Sequence, residues 1–154
     1  MNLMIEIVLF LSAGSLGLFV GALLTEAMVL VPMWRSLRPP EFFMLHAAHA
    51  HRLYGFFAPL TAAATFLAVA AAGACVTTNY SGSLAAVVAA ASTLVILSTY
   101  FLYFRRANAS FAMAGIKPED LPAELARWAF WHWFRTAIGV VAFASTLLSL
   151  RGIA

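Results

Sequence analysis

Charge is scarce in this chain. Of its 154 residues, 9 are Lys or Arg and 6 are Asp or Glu, so only 10% are charged, against about 25% in an ordinary soluble domain. That shortage excludes a typical cytosolic globule and a disordered chain, and it leaves too little basic surface to hold a nucleic acid. Cysteine is nearly absent: Cys75 stands alone, so no internal disulfide framework exists and thiol chemistry has no second sulfur to work with. HExxH, ExxH and CxxC motifs are missing. The glycines Gly14, Gly17 and Gly21 fall inside an apolar run, where they cannot form a phosphate loop. The ten-residue alternation of a membrane barrel is missing too.

Hydrophobic residues are abundant, at 64% of the chain, and the mean hydropathy is +0.92. A bilayer core about 30 Å thick needs about 20 apolar residues in a spanning helix. Four stretches meet that need, at about 7–34, 53–75, 83–104 and 128–150. The first is interrupted only by Glu26, and the last only by His132 and Arg135. The expected fold is all-α: a single domain over residues 1–154, a polytopic membrane protein with four transmembrane helices in an antiparallel bundle. Small residues, among them Gly14, Gly17, Gly21 and the alanine-rich runs 61–74 and 84–92, suit close helix packing in lipid, within the chain or in a homo-oligomer.

The basic residues predict the orientation. Arg35, Arg38 and Arg52 fall between the first two spans, and Arg105, Arg106, Lys117 and Arg127 fall between the third and fourth, with Arg135 close by. Arg151 is left on the other side. The positive-inside rule then places both long loops in the cytoplasm and both termini outside, in a multi-pass protein of the inner membrane. Trp34, Phe42, Phe43, Tyr103, Phe104, Trp128, Trp131 and Trp133 are expected to form the aromatic belt at the inner boundary. Pro39-Pro40-Glu41 and Asp120-Leu121-Pro122 with Glu124 read as helix starts, because proline fits the first turn and a carboxylate favours the N-terminal dipole. The second helix should therefore run from about 40 to 73 and the fourth from about 122 to 150. Gly115 and Lys117-Pro118 should stop the third.

Ionisable side chains in a span are costly and usually face the bundle interior. With the first hairpin turning near Leu37, Glu26 lies level with about His49. With the second turning near Lys117, His132 lies level with about Leu102, near Tyr100 and Tyr103. His46, His49 and Arg52 share one helical face, and so do Trp128, His132 and Arg135. Glu26, His46, His49 and His132 can thus form one layer, and a glutamate with two histidines is the ligand set of an iron site. Imidazole also suits copper or zinc, and a haem needs only one or two histidines. Each residue has a plainer alternative. Glu26 pairs with Arg52 or Arg135, His132 bonds a tyrosine or a backbone carbonyl, the histidines near 46–51 sit among headgroups, and the tryptophans form the belt. Trp128, on the His132 face, can instead line a pocket for a flat aromatic or quinone-like ligand.

The stretch Arg127-Trp128-Ala129-Phe130-Trp131-His132-Trp133-Phe134-Arg135-Thr136 resembles the final-helix signature of the anthrone oxygenase family of small four-helix membrane proteins. Phe104-Arg105-Arg106-Ala107-Asn108 resembles the end of that family's third helix, and Gly17, Gly21 and Pro32 match its first. The chain differs where His132 replaces a usual asparagine and Arg105 stands near another. The resemblance implies oxidation of an activated ring carbon by O₂. It implies His132 or His49 as base, Arg135 and Asn108 as holders of the developing oxyanion, and Trp128 beside them. Three readings follow: a membrane oxidoreductase acting on a hydrophobic aromatic substrate, a non-catalytic small subunit of a larger membrane complex, or an electron carrier binding iron, copper or haem.

Overall fold

The computed structural model describes residues 3–151. Among these the chain is helical with no strand, and four helices are long and apolar enough to cross a membrane: α1 (Leu3–Ser36), α2 (Pro39–Thr77), α3 (Ser83–Ala112) and α4 (Leu121–Leu150). Each helix packs on its sequence neighbours, and α4 closes the ring against α1. Many large apolar side chains point outward, including Leu18, Phe66, Leu84 and Phe130. In water that surface would drive association, whereas hydrocarbon accommodates it.

Local chemistry sets the helix ends. Pro39 and Pro40 occupy the first turn of α2, and Arg38 caps it in a reciprocal arrangement with Glu41. The Arg38 backbone N–H donates to Glu41 Oε2 at 3.1 Å, and its guanidinium binds the other carboxylate oxygen. Leu121-Pro122 opens α4 with a proline in the first turn but without such a cap. Helix α3 ends at Ala112, and two residues on Ala114 takes a left-handed φ of 49° that turns the chain away. Gly115 N–H then returns to the Ser110 carbonyl at 2.8 Å. The left-handed turn falls one residue before the glycine that the sequence suggests. Pro59 lies within α2, which continues past it.

Helices α1 and α3 each contain a π-helical turn, at Glu26–Leu30 and Tyr100–Phe104. A π turn holds an extra residue relative to the α-helix, which re-aims the side chains after it. Neither turn is signalled by the sequence pattern.

The interior has two apolar parts. One is aliphatic and alanine-rich, built on Leu9, Leu16, Phe19, Leu23, Ala64, Ala68, Cys75, Ala90 and Ala142. The other is aromatic and lies towards the 37–38 and 113–120 linkers, built on Trp34, Phe42, Phe104, Phe111, Leu125 and Trp128. This corrects the expected belt. Trp34, Phe42, Phe104 and Trp128 are buried core residues, and Trp131 stacks on Tyr103 with centroids 5.6 Å apart. Only Trp133, at 47% exposure, faces outward as an anchor would.

The glycines of α1 divide. Gly17 packs on Phe143, where an added Cβ would come within 3.3 Å, whereas Gly14 and Gly21 meet nothing within 4 Å. At the far end, Gly82 is required by close approach. A Cβ there would lie 2.5 Å from the Ser149 carbonyl oxygen. Ser149 Oγ donates to the Gly82 carbonyl at 3.0 Å, so the α2–α3 turn is docked on the end of α4. Gly82→Ala should therefore lower stability by about 1–3 kcal/mol, the usual range for overpacking, read as a lower midpoint in thermal unfolding of the detergent-solubilised protein. An unchanged midpoint would show that the turn is not held against α4.

Candidate functional site

Glu26 is the first residue of the π turn in α1 and is 4% exposed. Two groups from α4 face it. His132 Nδ1 lies 3.5 Å from Glu26 Oε2, and Arg135 Nη2 lies 3.6 Å from the same oxygen. These are ion-pair distances, long for hydrogen bonds. Glu26 Oε2, His132 Nδ1 and Arg135 Nε are all buried without a hydrogen-bond partner. The carboxylate is held by charge across these two distances.

His132 is fully buried, and its Nε2–H donates to the Leu23 carbonyl at 2.9 Å. A carbonyl oxygen only accepts, so the proton must sit on Nε2. Nδ1 then faces Glu26 at 3.5 Å, as an acceptor when the ring is neutral and as a second N–H donor when it is protonated. The ring is fixed on its other side by Trp128, stacked at 5.0 Å and 9° from parallel. Trp128 Nε1–H in turn donates to Asn108 Oδ1 at 2.9 Å, tying α4 to α3. Arg135 lies over the Phe104 ring, 4.6 Å from its centroid, with Phe57 at 5.9 Å. Aromatic faces stabilise a partly dehydrated guanidinium.

Beside this cluster is a cavity of about 430 Å³. That is within the range of sites for small molecules, about 300–1,000 Å³. Its wall includes Glu26 and Trp34 from α1, His46, Ala50 and Phe57 from α2, Tyr100, Phe104 and Asn108 from α3, and Trp128 and Arg135 from α4. Tyr54, Phe101 and Arg105 also line it and are exposed on the outside, so the cavity reaches the surface between α2 and α3. Ala50, Ala58 and Ala62 on α2 and Ala109 and Ala112 on α3 border it with small side chains that leave this space open.

The sequence-derived candidates separate on this geometry. Glu26, His46, Asn108, Trp128 and Arg135 line the cavity. His132 lies behind Glu26 and is not part of the cavity wall. His49 is exposed, with Nδ1 on the Leu45 carbonyl at 2.9 Å. It takes no part in the cluster, because three residues turn a helix by about 60° away from His46. The expected metal set of Glu26, His46, His49 and His132 is therefore split. Among the described residues, no three His, Cys, Asp or Glu side chains gather as a metal-holding group. Haem ligation through His132 Nε2 would require breaking its bond to Leu23. Two of the plainer alternatives are present: Glu26 pairs with Arg135, and His132 bonds a backbone carbonyl. Trp34, Phe57, Phe104 and the Leu23 carbonyl went unnoticed as site groups. Trp34 and Phe104 carried a signal, as aromatics of the expected inner boundary.

A buried ion pair that loses one partner leaves an uncompensated charge, at about 3–5 kcal/mol. Glu26→Leu and Arg135→Leu should each destabilise strongly. The double variant should cost less than the sum, with a coupling of about 1–3 kcal/mol in a double-mutant cycle of thermal unfolding. Strict additivity would show that the pair does not act as one. Comparison with protein-family models, curated proteins and solved structures finds no match to this chain.

Proposed function

We propose that this chain is an integral membrane oxidoreductase that draws a hydrophobic aromatic molecule from the bilayer into the cavity, where Glu26 removes a proton from it. The helices cross the cytoplasmic membrane in alternating directions, with both termini outside and the basic linkers inside. The observation that carries this reading is a buried carboxylate on the wall of an aromatic-lined cavity that opens between two lipid-facing helices.

The chemistry follows the resemblance to the anthrone oxygenases. A ring methylene flanked by aromatic rings loses a proton to Glu26, and the charge moves onto the conjugated oxygen. Arg135 and the amide N–H of Asn108 stabilise that oxyanion. The carbanion adds O₂ and, once protonated, is a hydroperoxide. Loss of water then leaves a ketone, with one oxygen atom in the product and the other in water. His132 Nδ1 shares the proton that Glu26 takes up, and Trp128 and Leu23 hold the imidazole in place for it.

The outward face of α1 at Gly14 and Gly21 supports a second reading, a subunit that packs against another membrane helix. That reading leaves the polar wall of the cavity without a role.

Protein in lipid nanodiscs, given anthrone as probe under ¹⁸O₂, should consume oxygen faster than protein-free nanodiscs and place one labelled atom in the ketone. Glu26→Gln should lower the protein-dependent rate by about 10²–10⁴-fold, the usual range for loss of a general base. Oxygen uptake no faster than in protein-free nanodiscs would overturn the proposal.

A further inference from the structure

The mouth of the cavity carries a cation that no carboxylate of the bundle compensates. Arg105, on α3, lines the same space as Glu26 and is exposed. Among the described residues it forms no ion pair: Glu26 faces Arg135, Glu41 binds Arg38, and Glu124 binds Arg127. The π turn of α3 is what aims Arg105 at the cavity. Its backbone N–H bonds the carbonyl of Tyr100, five residues back. In a straight α-helix a side chain five residues on is turned by about 140°. The wider π turn brings Arg105 round to the face of Tyr100, and both line the cavity. Across the opening, Tyr54 of α2 is 58% exposed, with its ring 6.3 Å from that of Tyr100. A guanidinium and two phenols therefore border the gap between α2 and α3.

We propose that Arg105 selects ligands in which an apolar aromatic body carries a carboxylate, and holds that carboxylate at the mouth while the body lies inside. This rests on the reading of the cavity as a substrate site and narrows its substrate class. Charge orients such a ligand. Deeper in, an anion would meet Glu26, and the guanidinium of Arg135 already faces that carboxylate at 3.6 Å. Arg105 offers an unused planar fork of N–H donors, which matches the two oxygens of a carboxylate. The hydroxyls of Tyr54 and Tyr100 add further donors beside it. The apolar wall at Phe57, Ile96 and Phe104 takes the body. Arg105 lies about two turns before the end of α3 at Ala112. A guanidinium near a helix end reaches towards the headgroups, so the anionic group keeps part of its hydration and avoids the cost of entering hydrocarbon.

Two probes of one size test this in phosphatidylcholine nanodiscs at about pH 8, where a carboxylic acid is ionised. They are anthracene-2-carboxylate and its uncharged carboxamide, measured by equilibrium dialysis against empty nanodiscs. After correction for lipid partition, the wild-type protein should bind the carboxylate about fivefold more tightly, as expected of one partly exposed ion pair. The preference should shrink as salt rises from about 20 to about 500 mM. Arg105→Gln should abolish it and leave carboxamide binding within about twofold, whereas Arg105→Lys should keep part of it. Arg106→Gln, which is exposed and off the cavity wall, should keep all of it. Thermal unfolding checks that each variant is folded, and the wild-type salt series decides if Arg105→Gln is not. Equal binding of the two probes by the wild type overturns the inference, as does a preference that ignores salt. An equal loss in Arg106→Gln overturns it too, since it would mark diffuse surface charge. Loss of the preference when phosphatidylglycerol replaces part of the lipid would assign Arg105 to a lipid phosphate and equally overturn it. If neither probe binds above empty nanodiscs, the substrate-site reading falls as well, whereas carboxamide binding without preference leaves that reading intact.

Discussion

A carboxylate inside a membrane-spanning bundle has to be compensated, and the rest of this site follows from how Glu26 is compensated. Its oxygen faces an imidazole at 3.5 Å and a guanidinium at 3.6 Å, both from α4. Removing an ion from water costs several kcal/mol even after relaxation. The bundle offsets that cost by aiming two nitrogen groups at one oxygen and backing the guanidinium with Phe104. The pairing crosses from α1 to α4, the two helices at opposite ends of the chain, so it also closes the ring of four.

The cluster sits where the aliphatic and aromatic parts of the core meet. On one side Leu23 supplies both packing and a carbonyl for His132. On the other, Trp128 supplies a stacking face and carries the connection on to Asn108 of α3. Three helices thereby fix a single imidazole. A residue held from three directions has little rotational freedom. Both π turns border the cavity, at Glu26 and at Tyr100–Phe104. Without the first, Glu26 and Trp34 would present different faces to the interior.

The fourth wall, between α2 and α3, is built differently. There alanines line both helices, and the gap they leave is continuous with the outer surface beside Tyr54 and Phe101. Large side chains at the same positions would have sealed it. A bundle needing only stability would gain by filling such a gap, since close packing is the main attraction between helices in lipid. The bundle thus combines a polar wall with an open alanine wall.

Much of this was legible in the amino-acid sequence. Apolar run length and the paired prolines determined four helices and their starts at Pro39 and Leu121. Counting residues from the turns put Glu26 and His132 at one height, because rise per residue is nearly constant along a helix. Rotation about the helix axis was beyond that count. It separates His46, inside the core, from His49, exposed only three residues later. The π turns were also invisible, since they depend on how neighbouring helices press on the backbone and leave no mark in hydropathy. The cavity likewise arises from the spacing between α2 and α3, which is a property of the packed bundle and of no single helix.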